Sequence, residues 1–132
     1  MASKMYVFVN SKVCGNQTGI QAAHAVARLV YKSAHDARIR DWMSHETLVI
    51  LNGGTDARMQ EIATTLVDHS YPNCTALFRE PDMGGLLTAI AYIPTEDEIQ
   101  TARGIQSGTY WSNGGPLDII PDLIASSRSH RG

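Results

Sequence analysis

Cysteine is scarce in this chain: Cys14 and Cys74 are its only two, far apart and in no metal-ligand spacing, which excludes a disulfide framework and a structural zinc site. Long apolar runs are missing as well. None approaches the roughly 20 residues of a membrane span, and the start, MASKMYVFVN, lacks the basic, apolar and cleavage regions of a signal peptide, so a cytoplasmic protein is expected. A basic excess is also absent: 11 Lys and Arg stand against 13 Asp and Glu, for a net charge of −2. The molecule therefore has no overall field to hold nucleic acid, and any RNA contact must be local. There is no nucleophile-elbow, phosphate-loop or dinucleotide-binding glycine motif. No internal repeat is visible.

What is present describes one globular domain of 132 residues, 43% hydrophobic and 18% charged. Residues 4–10 (KMYVFVN) are an aromatic and β-branched run suited to a buried first strand. The polar loop 11–16 (SKVCGN) leads into a helix from Gln17 to about Ala34, with Asn16 or Thr18 as its N-cap. In that helix Ile20, Ala23, Ala27, Val30 and Tyr31 recur at spacings of three and four, which predicts that they face a sheet. Residues 36–43 suggest a short helical turn, and 46–51 (ETLVIL) a strand stopped by Asn52-Gly53-Gly54.

Thr55 is placed to cap a helix reaching about His69, in which Met59, Ile62, Ala63, Leu66 and Val67 follow the amphipathic template. Residues 73–79 and 86–93 read as an antiparallel pair around Glu80-Pro81-Asp82-Met83-Gly84-Gly85. Thr95, with Glu96, Asp97 and Glu98 behind it, starts a helix ending near Gly104. Beyond it an irregular extension is expected over 105–132, with residues 117–124 (LDIIPDLI) docking on the domain and 126–132 mobile. Alternation of strands and helices predicts an α/β fold: a mostly parallel sheet covered on both faces and joined to one antiparallel pair.

Two constellations can carry chemistry. Gln17, Gln21, His24 and Arg28 form a polar stripe on the first helix, opposite the apolar one, and the helix start offers N–H groups and a positive dipole end to an anion. The same stripe suits a solvated helix face. In the second, Glu80 and Asp82 beside Gly84 and Gly85 can orient a water, bind a ribose or accept a proton, or can simply shape a turn. His35, His45, His69 and His130 are isolated and expected on the surface. Tyr110 and Trp111 suit base stacking, or more readily a buried anchor for the extension.

The stretch Gln17-Thr18-Gly19-Ile20-Gln21-Ala22-Ala23-His24-Ala25 resembles the Lys-Ile-Ala-Ala-Gln-x-x-His-Ala pattern of the archaeal and eukaryotic type of peptidyl-tRNA hydrolase, with Gln21, His24 and Ala25 matching. Asp82-Met83-Gly84-Gly85 and the following Thr88-Ala89-Ile90-Ala91-Tyr92-Ile93-Pro94 are similar to that family's Asp-Ala-Gly-Arg-Thr loop and last strand, matching at Asp82, Gly84, Thr88 and Pro94. The likeness spans residues 4–104. It implies a three-layer α/β/α domain over 1–104 with a four-stranded mixed sheet, no metal and no cofactor. Its site lies where the first helix's start meets the loop before the last strand.

On that resemblance the catalytic set is Asp82, Gln21 and His24, and the ligand-binding set is Lys12, Asn16, Gln17, Thr18, Glu80, Gly84 and Thr88. The chain departs from the pattern at Gln17, where a lysine is expected, and at Gly85 and Leu86, where arginine and threonine are expected. Lys12 stands in the loop as a substitute cation. Three readings follow: a divergent peptidyl- or aminoacyl-tRNA hydrolase, a protein that binds or cleaves a small, for instance cyclic, nucleotide, and an inert interaction module. The expected partners are the tRNA 3′ end or a small nucleotide, with no membrane, and a second copy of the chain in a homodimer.

Overall fold

Six residues without a charge, Met5–Asn10, form strand β1, and all six are buried. Complete burial suits a central strand, and β1 is central: the computed structural model, which describes residues 3–70 and 73–128, has one sheet of order β2-β1-β4-β3. The other strands are β2 (Leu48–Gly54), β3 (Thr75–Glu80) and β4 (Leu86–Tyr92). β1 is parallel to β2 and antiparallel to β4, and β4 is antiparallel to β3. Two of the three pairings are thus antiparallel, where the element pattern predicted a mostly parallel sheet. The chain enters β4 from the β3 hairpin, so β4 runs against all its neighbours.

The helices are α1 (Asn16–Lys32), α2 (Ala37–Met43), α3 (Asp56–His69), α4 (Glu96–Ser107) and α5 (Ile119–Ser126). Residues paired across a sheet share a face. Val7, Val9, Ala76, Ala89 and Ala91 therefore lie together with Phe78, on which α1 packs. Tyr6, Phe8, Leu51 and Ile90 share the other face. That side carries α3, with α5 packed on both α3 and α4. This is a three-layer α/β/α fold with a four-stranded mixed sheet. No helix among the described residues is long and apolar enough to cross a membrane.

Local chemistry sets the helix starts. Thr55 accepts from Arg58 N–H at the start of α3, and Thr95 forms a reciprocal capping box with Glu98 at the start of α4. Met59, Ile62, Ala63 and Leu66 are buried, as the α3 pattern predicted, whereas Val67, on the same pattern, is 62% exposed near the helix end. α4 runs past Gly104 to Ser107, because the left-handed residue that ends it is Gly108. The extension is less irregular than its composition predicted: apolar residues at 119, 120, 123 and 124 give α5 a face to bury against α3 and α4. The expected mobile end falls partly on residues 129–132, and His130 with it, outside the described residues. His35, His45 and His69 are exposed.

α1 is turned on its axis from the expected orientation. Its buried residues are Thr18, Gln21, Ala22, Ala25 and Leu29, whereas Ile20 is 45% exposed, Tyr31 89% exposed, and Ala23 and Ala27 lie outward. The small Ala22 and Ala25 let the helix approach the sheet closely, and Gln21 faces inward because a partner awaits it there. Val30, expected to face the sheet, is only partly buried, as are Val49 and Ile50 of β2. β2 is an edge strand, so its side chains are covered less completely than those of β1.

Candidate functional site

β1, β2 and β3 end, and α1, α3 and β4 begin, at one end of the sheet. The placement of side chains there depends on an irregularity in β4. Phe78 pairs with Ala89 but Arg79 pairs with Leu87, so Thr88 is an extra residue, a β-bulge. Strict alternation would turn Thr88 away from the face of Ala89; the bulge lets it meet α1. Its hydroxyl donates to Gln21 Oε1 at 2.7 Å, with Phe78 O at 3.4 Å as a weaker second acceptor.

Gln21 then donates from Nε2 to Gln17 Oε1 at 3.2 Å. Thr88, Gln21 and Gln17 form a chain of fixed polarity that runs from a fully buried hydroxyl to the exposed amide of Gln17 at the helix start. Gln21 is 1% exposed, so it holds Gln17 rather than lining open space. Thr18 lies one turn nearer the helix start than Gln21 on the same buried stripe. Its hydroxyl is buried with no hydrogen-bond partner among the described residues.

Neither Asn16 nor Thr18 caps α1. The cap is Gly15, with φ of 59° and no side-chain hydrogen bond, and Asn16 is the first helical residue. The backbone N–H groups of the first turn therefore have no side-chain acceptor. Lys12 does not serve the helix start: its ammonium sits 2.6 Å from Asp56 Oδ2 at the beginning of α3. Asn10, wholly buried, ties that corner together by donating to Asp56 Oδ1 and Leu87 O and accepting from Lys12 N–H. The Lys12 and Asn10 hydrogen bonds hold the Asp56 carboxyl below its ordinary range.

His24 is spent on packing. Its ring stacks on Phe78 at 4.4 Å, and the Arg28 guanidinium lies 5.0 Å from the centroid of the same ring. The polar stripe of α1 thus wraps a buried aromatic ring. Sequence spacing could not reveal this, since Phe78 belongs to another element.

Asp82 lies in a single 3₁₀ turn, Pro81–Met83, that closes the β3–β4 hairpin. Gly84 and Gly85 follow with φ of 67° and 80°, a conformation that favours glycine, and their N–H groups bond back to Pro81 O and Glu80 O. This pins the loop while Asp82 stays exposed, with no hydrogen-bond partner among the described residues. Glu80 closes the pairing by facing Leu86, two residues before Thr88. The Thr88 to Gln21 bond ties α1 to β4, the strand that leaves the hairpin loop, while the Asp82 carboxylate makes no bond to α1 among the described residues.

Tyr110 and Trp111 lie far along the chain from these residues. Trp111 is 89% exposed and is no buried anchor; Tyr110 holds the extension through a 2.7 Å bond from its hydroxyl to Asp118. No protein-family model matches the chain, and no curated protein matches it either, so what the site does must follow from its own residues.

Proposed function

We propose that the chain is a divergent hydrolase of the ester linking an acyl group to the 3′ end of a tRNA, as its resemblance to the peptidyl-tRNA hydrolase type implies. The observation that supports this reading is the Thr88–Gln21–Gln17 chain, which holds a neutral amide donor beside the uncapped first turn of α1. Neutral donors suit the oxygen of an ester as it gains charge in the transition state. The Asp82 carboxylate takes a proton from water while the water oxygen attacks the acyl carbon. The oxyanion is held by the Asn16 and Gln17 N–H groups, Thr18 N–H being bonded to Gly15 O, and by the Gln17 amide. Collapse then breaks the bond to the ribose oxygen, which receives the proton. His24 takes no proton in this scheme.

The missing basic surface favours a second reading in which the same groups bind a small nucleotide, which needs few phosphate contacts. Single-turnover release of the acyl group from charged tRNA distinguishes the two. Hydrolysis in the wild type that is lost in Asp82→Asn and lowered in Gln17→Leu, which removes the amide held by Gln21, supports the first. An inactive protein that releases a nucleotide on denaturation, detected by mass spectrometry, supports the second.

A further inference from the structure

At the opposite end of the sheet, a cleft of about 490 Å³ opens between the end of α3, the start of α4 and the loop before α5. Its walls include Asp97, Glu98, Asp118, Tyr110, Leu117 and His69 but, among the described residues, no lysine or arginine. The hydrogen bonds its carboxylates accept come from neutral groups: Tyr92 OH and Thr95 N–H for Glu98, Tyr110 OH and Asn113 N–H for Asp118. Such bonds leave the carboxylate charge in place. The Tyr110 phenol registers this field, being pushed up chiefly by its bond to Asp118, with desolvation and the Asp118 and Asp122 charges adding.

Beside this acidic wall stand Trp111 and Leu117, each 89% exposed. Their loop is held in shape. Ser112 donates to Asp122, Asn113 N–H to Asp118 and Gly115 N–H to Asn113, and Tyr110 N–H bonds to Gly104 O. A large aromatic and a leucine kept outward on a pinned loop are the kind of anchors that dominate protein interfaces, because little ordering entropy is lost when they are covered. We propose that this cleft docks a segment of a partner protein that carries lysine or arginine beside apolar side chains: the bases meet the acidic wall, and the apolar groups cover Trp111 and Leu117. Nucleic acid, which also stacks on exposed tryptophan, is repelled by the same carboxylates.

The test uses the full chain and a short alternating Lys-Leu peptide as the probe, with Trp111 as reporter, since Trp42 is buried and silent to quenchers. The peptide is expected to shield Trp111 from acrylamide, less so as salt rises. It should outbind a Glu-Leu counterpart by about tenfold or more, and Leu117→Ser and Asp97→Lys should each weaken it about tenfold. Both substituted side chains are exposed, so circular dichroism should show the fold unchanged. Three results overturn the proposal: no shielding by the peptide, binding indifferent to Asp97→Lys, or shielding of Trp111 by an RNA oligonucleotide or by self-association instead.

Discussion

Replacing Thr88 by valine keeps the branched shape and removes one hydroxyl. The Gln21 carbonyl, on a residue 1% exposed and bonded at 2.7 Å, then loses its strong donor with no water to replace it. An unsatisfied buried acceptor costs about 1–3 kcal/mol. For a domain of this size that lowers Tm by roughly 3–15 °C. Urea unfolding should show the loss as a lower midpoint at unchanged slope. Gln21→Leu alone should also destabilise, because it leaves the Thr88 hydroxyl only the weak 3.4 Å bond to Phe78 O. The double variant should be milder than the sum of the two, with a coupling of about 1 kcal/mol or more, since no polar group is then left alone. If Thr88→Val unfolds at the wild-type midpoint, or the two changes simply add, the buried chain does not exist in solution. Gln17 would then lack the anchor on which the proposed ester chemistry depends.

His24→Ala should cost about 0.5–1.5 kcal/mol through the lost stack on Phe78 and leave single-turnover hydrolysis within a few-fold of wild type; a loss approaching the 10²–10⁴-fold typical of general acid–base groups would restore it to the chemistry. Gly84→Val should lower stability by about 1–2 kcal/mol through its left-handed φ, and Gly84→Asn by less, in thermal melts. Because Asp56 is depressed in the folded state, its contribution is present above the ordinary carboxylate value of about 3.9 and is lost as pH falls through the lowered one. Asp56→Asn should therefore flatten the fall of stability below about pH 4, and an unchanged acid profile would refute the Lys12 and Asn10 assignment.

The sequence made α3 readable because its inward face, Met59, Ile62, Ala63 and Leu66, is wholly apolar. α1 was misread because its inward face includes a glutamine, and Gln21 turns inward only when Thr88 is there to meet it. That meeting needs the extra residue in β4, a property of two paired strands that neither strand displays by itself. Lys12 met the same obstacle: its position in the loop pointed to α1, while its partner Asp56, 44 residues on, became a neighbour only once β1 and β2 were aligned. The hairpin loop was easier, since Pro81, Gly84 and Gly85 dictate its turn from local chemistry. Trp111 ran against expectation because hydrophobicity predicts burial on average and is silent about a residue held out for contact.

The central position of β1 also bears on how the protein is made. Its residues leave the ribosome before those of β2, β3 and β4, yet one side of the strand has no partner until β4 appears, as the pairing of Tyr6 with Tyr92 requires. At about 5–20 residues per second, roughly 4–17 s of synthesis separate the two strands. Throughout that interval a six-residue apolar strand with an open edge is available to other chains. The segment that ends up best enclosed is thus the one most open to aggregation during translation, and a slower ribosome lengthens the risk.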